Sequence, residues 1–205
     1  MSFKLRPRYI IASAVALATT LSLAACAAFG QAGSDIAAAL QGRSATITTF
    51  ATSGNVIDKV HGVSINMTRD TTFDTKTSEG SNADSSVVLI SIGNSTIRHV
   101  GSTMLIAEDG VTTVSQPGSI VLDNKTPGVP WLNTFREANQ NLWQGKGKTI
   151  LIRSQFDVPL AVYAGNEVEV FATNTPKSTL FRIDGRVLIV YRANYTVYDT
   201  DLLAR

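Results

Sequence analysis

Thr179 to Asp199 read TLFRIDGRVLIVYRANYTVYD. An aspartate followed by glycine between two apolar runs marks a two-residue hairpin, because both central positions of that turn need backbone angles that Asp, Asn and Gly tolerate best. Thr179 to Ile183 and Arg186 to Arg192 are therefore expected to pair as antiparallel strands. In the second of them Val187, Ile189 and Tyr191 alternate with Leu188 and Val190, so both faces are apolar. A strand that is apolar on both faces must be covered on both, and Arg186 to Arg192 reads as a central strand.

The same punctuation extends outward. Downstream, Asn194 to Asp199 is strand-like. Upstream, Thr149 to Phe156, Leu160 to Ala164 and Glu167 to Ala172 are strand-like, separated by Asp157-Val158-Pro159 and Gly165-Asn166 and followed by the breaker-rich Thr173 to Ser178. Thr46 to Thr52 and Val56 to Met67 flank Ser53-Gly54-Asn55, which predicts strand, turn, strand. Val87 to Ile92, Ser95 to Val100 and Thr103 to Ala107 continue the pattern, with Gly93-Asn94 and Asp109-Gly110 as turns. Thr68 to Ser86 is polar, with Phe73 its one sizeable apolar residue, and is expected to be a loop or a mobile hairpin.

Two helices are expected. Ser34-Asp35 before Ile36 to Leu40, closed by Gly42, carries the capping signals of a short N-terminal one. Trp131, Phe135, Ala138 and Leu142 recur at offsets that line one face of an amphipathic helix over residues 130–144, which would cover a sheet. Its aromatic residues read as core, since large rings on a helical apolar stripe are usually buried. The two prolines and one glycine of residues 124–130 make a candidate boundary between two lobes. No internal repeat emerges. The expected class is mainly β: an antiparallel β-sandwich or partly open barrel, with one covering helix and a short N-terminal helix.

The first 25 residues have a different character. Lys4, Arg6 and Arg8 give a basic start, and no charged residue follows from Tyr9 to Ser34. This is the pattern of an export signal. It ends in Leu23-Ala24-Ala25-Cys26, and Cys26 is the single cysteine of the chain. That tetrapeptide resembles a bacterial lipobox, in which the thiol takes a diacylglyceryl group before cleavage ahead of the cysteine. Cleavage at a small-residue site near Ala25 to Ala28, giving a secreted protein, and an uncleaved anchor are the alternatives. Two acyl chains on one sulphur hold a protein at a membrane durably, whereas one holds it marginally. The expectation is thus a signal peptide at 1–25, a tether with the short helix at 26–42, and one β-rich extracytoplasmic domain at 43–205. A lone cysteine excludes an internal disulfide.

Composition narrows the partners. The net charge of +2 includes the three basic residues of the leader, so the chain from Cys26 onward carries −1. With its remaining Lys and Arg scattered, it has no electrostatic footprint for nucleic acid.

The run from Leu151 to Asp199 is similar to the C-terminal segment of bacterial lipoproteins grouped as domain-of-unknown-function family 5052. The residues that carry the resemblance are Ser154-Gln155, Pro159, Gly165-Asn166, Pro176-Lys177, Ile183 to Arg186 and Tyr191 to Tyr195, together with SATITTFATSGNVIDKVHG (44–62) and the leader. The resemblance implies a lipid-anchored extracytoplasmic protein of Gram-positive-type bacteria, and supplies no catalytic residues.

Sites of chemistry are sparse. His61 and His99 lie in strand-like segments with no nucleophile elbow nearby, and read as surface or sheet histidines. No metal-binding spacing or phosphate loop is present, and no cofactor is expected. Asp70, Asp74, Glu79 and Asp84 lack the spacing of a calcium loop and read as solvated acids. Asn66, Asn94, Asn124 and Asn194 begin glycan-acceptor matches in a chain whose leader looks bacterial, and read as strand and turn polar groups. Arg153, Gln155, Arg186 and Arg192 are the candidate lining of a ligand groove on one sheet face, with an exposed polar face as the equal alternative. The functional expectation is a cell-envelope binding or interaction module on the outer face of the membrane, meeting an envelope protein, peptide or polymer. An envelope hydrolase using carboxylates and a structural lipoprotein are the alternatives.

Overall fold

The computed structural model describes residues 35–76, 82–83, 85–115 and 145–204. The expected boundary at 124–130, the expected helix at 130–144, Glu79, Asp84, and the expected leader at 1–25 with Cys26 lie outside them.

The chain is mainly β, as its alternation predicts. It runs α1 (Ile36–Leu40), β1 (Ser44–Phe50), β2 (Val56–Val63), β3 (Ile65–Arg69), a 3-10 turn (Thr71–Phe73), β4 (Thr75–Lys76), β5 (Asn82–Ala83), β6 (Val88–Ile92), β7 (Ser95–His99), β8 (Thr103–Glu108) and β9 (Thr113–Ser115). It continues through β10 (Lys148–Arg153), β11 (Pro159–Gly165), β12 (Val168–Ala172), β13 (Ser178–Ile183), β14 (Arg186–Tyr191), β15 (Asn194–Asp199) and a 3-10 helix at Thr200–Ala204. A six-stranded sheet has the order β12-β13-β14-β8-β1-β2, a four-stranded sheet β15-β10-β11-β9, and a three-stranded sheet β3-β6-β7. β4 and β5 form a small ladder of their own. All pairings are antiparallel.

The Asp184-Gly185 turn is the tight hairpin its residues predict. Ile183 pairs with Arg186, and both turn residues have positive φ, 49° and 79°. β14 is an interior strand and is buried on both faces from Val187 to Tyr191. The alternation along β14 and β8 divides two cores. Ile47, Ile106, Ile189 and Leu180 lie opposite one another across β1, β8, β14 and β13, and pack on Ile65, Met67 and Ile90 of the three-stranded sheet and on Ile36 and Leu40 of α1. On the reverse face Leu105, Leu188, Val190 and Phe181 pack on Ile150, Ile152, Leu160 and Tyr163 of the four-stranded sheet. The six-stranded sheet is therefore the middle layer, a β-sandwich with a third, smaller sheet added. No closed barrel forms among the described residues.

Local chemistry explains where elements end. Asp35 caps α1 by accepting the Ala37 and Ala38 amides, and Gly42 follows with φ 71°. The strand expected over Val56 to Met67 is broken at Ser64, where φ is 54° and Oγ accepts the Gly42 amide at 2.8 Å. That left-handed residue moves the chain from the middle sheet into the three-stranded one, a change that Val60, Val63 and Ile65 on either side of it conceal. The strand expected to reach Phe156 stops at Arg153, because Ser154 Oγ accepts the amides of Phe156 and Val158 and folds the backbone into a turn. Among the described residues no helix is long and apolar enough to cross a membrane.

Candidate functional site

The ends of β10, β14 and β1 come together at one end of the molecule. The turn after β10 carries Ser154, Gln155 and Phe156, and the chain leaves β14 through Arg192, whose φ is 51°. With Phe50, Ser102 and Thr103 these residues line a groove of about 330 Å³. Gln155 organises it: Nε2 donates to the Gly101 carbonyl at 3.0 Å, and Oε1 accepts from Arg192 Nη2 at 3.3 Å. Thr103 Oγ1 donates to the Arg192 carbonyl at 2.7 Å, which fixes the backbone on which that guanidinium is mounted. Arg192 Nε is buried and has no hydrogen-bond partner among the described residues. At the lip stands Phe156, 71% exposed on a turn whose backbone is tied down by Ser154.

Arg153 adjoins this end. It donates to Thr196 Oγ1 at 3.1 Å and pairs with Asp157 at 3.4 Å, and Asn194 in turn donates to Asp157 at 2.9 Å. The structure thus gathers Arg153, Gln155 and Arg192 at one end of the sandwich. It does not bring Arg186 to them. Arg186 opens β14 and Arg192 follows its close, so six steps of about 3.3 Å, roughly 20 Å, separate them. Periodicity places the two arginines on one face and is blind to that distance.

Arg186 belongs to another cluster. Glu108, only 4% exposed at the end of β8, accepts from Arg186 Nη1 at 2.9 Å, from Arg43 Nη1 at 2.9 and 3.1 Å, and from the Val187 amide at 2.8 Å. Burial works to raise its pKa, but the Val187 amide and the two guanidinium groups outweigh it and hold the carboxyl below its ordinary value. A carboxylate so held has no proton to give at neutral pH. It works as a clamp joining β8, β14 and the segment before β1.

The histidines are where strand reading put them. His61 Nε2 lies 2.9 Å from Asp109 Oδ2 on an exposed surface, and His99 Nε2 lies 3.0 Å from the Ser102 carbonyl with its ring edge-on to Tyr191. Asp70 and Asp74 differ from expectation: they are paired rather than solvated, Asp70 with Arg98 at 2.9 Å and Asp74 with Arg69 at 3.0 Å. Hydrogen bonds from Thr72 and Arg98 hold the Asp70 carboxyl below its usual range. No group of three or more potential metal ligands assembles among the described residues.

Sequence reasoning missed Phe156 and Thr103 as groove residues, since both were read as strand positions and only the early stop of β10 turns Phe156 outward. No curated protein matches the chain, and no solved structure does. One family model matches residues 8–203, a span that takes in Cys26 and every described strand. The chain belongs to that family, described as Domain of unknown function (DUF5052).

Proposed function

We propose that the protein is a lipid-anchored binding module of the bacterial cell envelope, held through a diacylglyceryl group on Cys26 and gripping an extended envelope peptide or polymer in the Gln155–Arg192 groove. The basic start, the uncharged run and Leu23-Ala24-Ala25-Cys26 support export and anchoring. The observation that carries the binding role is Phe156: a large exposed ring on a pinned turn, lining one groove with the Arg192 guanidinium. An exposed aromatic next to a rigid polar pocket is the usual chemistry of a docking site, where one ring supplies apolar area and an arginine fixes orientation.

The test uses the full chain in detergent against immobilised cell-wall polymer and envelope peptide fractions. Phe156→Ala and Arg192→Ala lower retention at least tenfold without changing the melting temperature, while Phe73→Ala, an exposed ring elsewhere, leaves it unchanged. Equal retention by all four proteins refutes the groove.

A further inference from the structure

The inner face of β1 breaks the apolar lining of the sandwich. Thr46 and Thr48 lie opposite Ala107 and Leu105, so they share the face that packs on the four-stranded sheet, where their neighbours on β8, β14 and β13 are leucine, valine and phenylalanine. Across from them, on β11, stands Tyr163. It is 1% exposed and its hydroxyl has no hydrogen-bond partner among the described residues. Between these residues runs a cleft of about 380 Å³, lined also by Val111, Thr113 and Lys59. It shares no lining residue with the Gln155–Arg192 groove.

Each wall of the cleft has a definite polarity. Burial pushes the Tyr163 phenol pKa up, so the group stays protonated and acts as a donor. Lys59 is exposed and has no ion-pair partner among the described residues. Two carboxylates border the cleft, and both are engaged: Glu108 by Arg43 and Arg186, Asp109 by His61. The free polar capacity is therefore a hydroxyl pair, a phenol donor and an ammonium. Leu105, Ala107 and Val111 supply an apolar floor. An unpartnered buried hydroxyl destabilises the fold, so Phe at position 163 would make a more stable protein if packing were the residue's whole task.

We infer that this inter-sheet cleft is a second binding site, which takes a small organic carboxylate with an apolar body, its carboxylate accepting from Tyr163 and Lys59. A volume near 380 Å³ suits a compound on the order of a dozen non-hydrogen atoms. The inference is independent of the groove and of the anchor.

Thermal unfolding of the full chain in detergent tests it, with sodium benzoate and sodium butyrate as probes, sodium chloride to match ionic strength and glucose as a neutral solute. Benzoate gives a saturable rise in melting temperature at millimolar concentration. Tyr163→Phe melts higher than the parent without ligand, yet binds benzoate at least tenfold more weakly. Lys59→Ala weakens it by a similar factor at unchanged stability. No saturable shift with either acid overturns the site, as does an undiminished shift in Tyr163→Phe. An equal shift with glucose overturns the assigned ligand class.

Discussion

Replacing Glu108 by alanine removes the acceptor on which three donors converge, and the structure gives the size of the effect. The Val187 amide is buried at the start of β14; with no acceptor it is left unpaired at a cost of about 1–3 kcal/mol. Arg43 and Arg186 are about half exposed, so their freed guanidinium groups return to water, and each lost contact counts as a surface pair, about 0.5 kcal/mol. The total is about 2–4 kcal/mol. For a domain of this size that lowers the melting temperature by about 4–16 °C. The effect is pH-dependent with a fixed sign. Because the folded-state pKa of Glu108 is depressed, its contribution is present above the ordinary carboxylate value of about 4.3 and is lost as pH falls through the folded value. Circular dichroism melts of parent and Glu108→Ala between pH 7 and 3 measure both features. The gap is widest at neutral pH and narrows as pH falls below about 4, without closing, because a protonated carboxyl still accepts the Val187 amide. A gap under about 2 °C at pH 7, or one that grows on acidification, refutes the clamp.

Other expectations follow from the same geometry. A Cβ at Gly62 would lie 2.4 Å from Ile92 Cγ2, so Gly62→Ala destabilises by about 1–3 kcal/mol, and Ile92→Ala in the same chain recovers part of the loss, as a double-mutant cycle in urea will read. Ser154→Ala leaves two amides short of their acceptor, costs about 1–3 kcal/mol by urea unfolding, and lowers retention on envelope fractions by freeing the Phe156 turn. Ile189→Ala empties the middle of the first core and costs about 2–5 kcal/mol in the same assay. Asp184 accepts the Glu167 and Asn166 amides at 2.9 and 2.8 Å, contacts that hold its pKa below the ordinary value, so Asp184→Ala loses stability at neutral pH and the loss shrinks only as pH falls through that depressed value, as melts from pH 7 to 2 will read.

The strand pattern was legible because alternation and turn residues are local. Asp184-Gly185 located a hairpin, and the double apolar face of Val187 to Tyr191 located an interior strand. The third layer was not legible, since it depends on one residue, Ser64, adopting φ 54° inside a run that reads as continuous strand. The groove was half visible. Arg153, Gln155 and Arg192 stand together because β10 and β14 both end there, whereas Arg186 shares their periodicity and lies a strand length away. Tyr163 carries no sequence signal at all: in PLAVYAG it is one more large residue of a buried strand, and only its hydroxyl, without a partner among the described residues, distinguishes it.

Placement outside the cell is the claim on which the envelope role depends, and the mass of the native protein extracted from membranes tests it most directly. A lipid-anchored protein yields a chain that begins at Cys26 and carries the added mass of a diacylglyceryl group on its sulphur. A mass that includes residues 1–25, or a free thiol at Cys26, contradicts it.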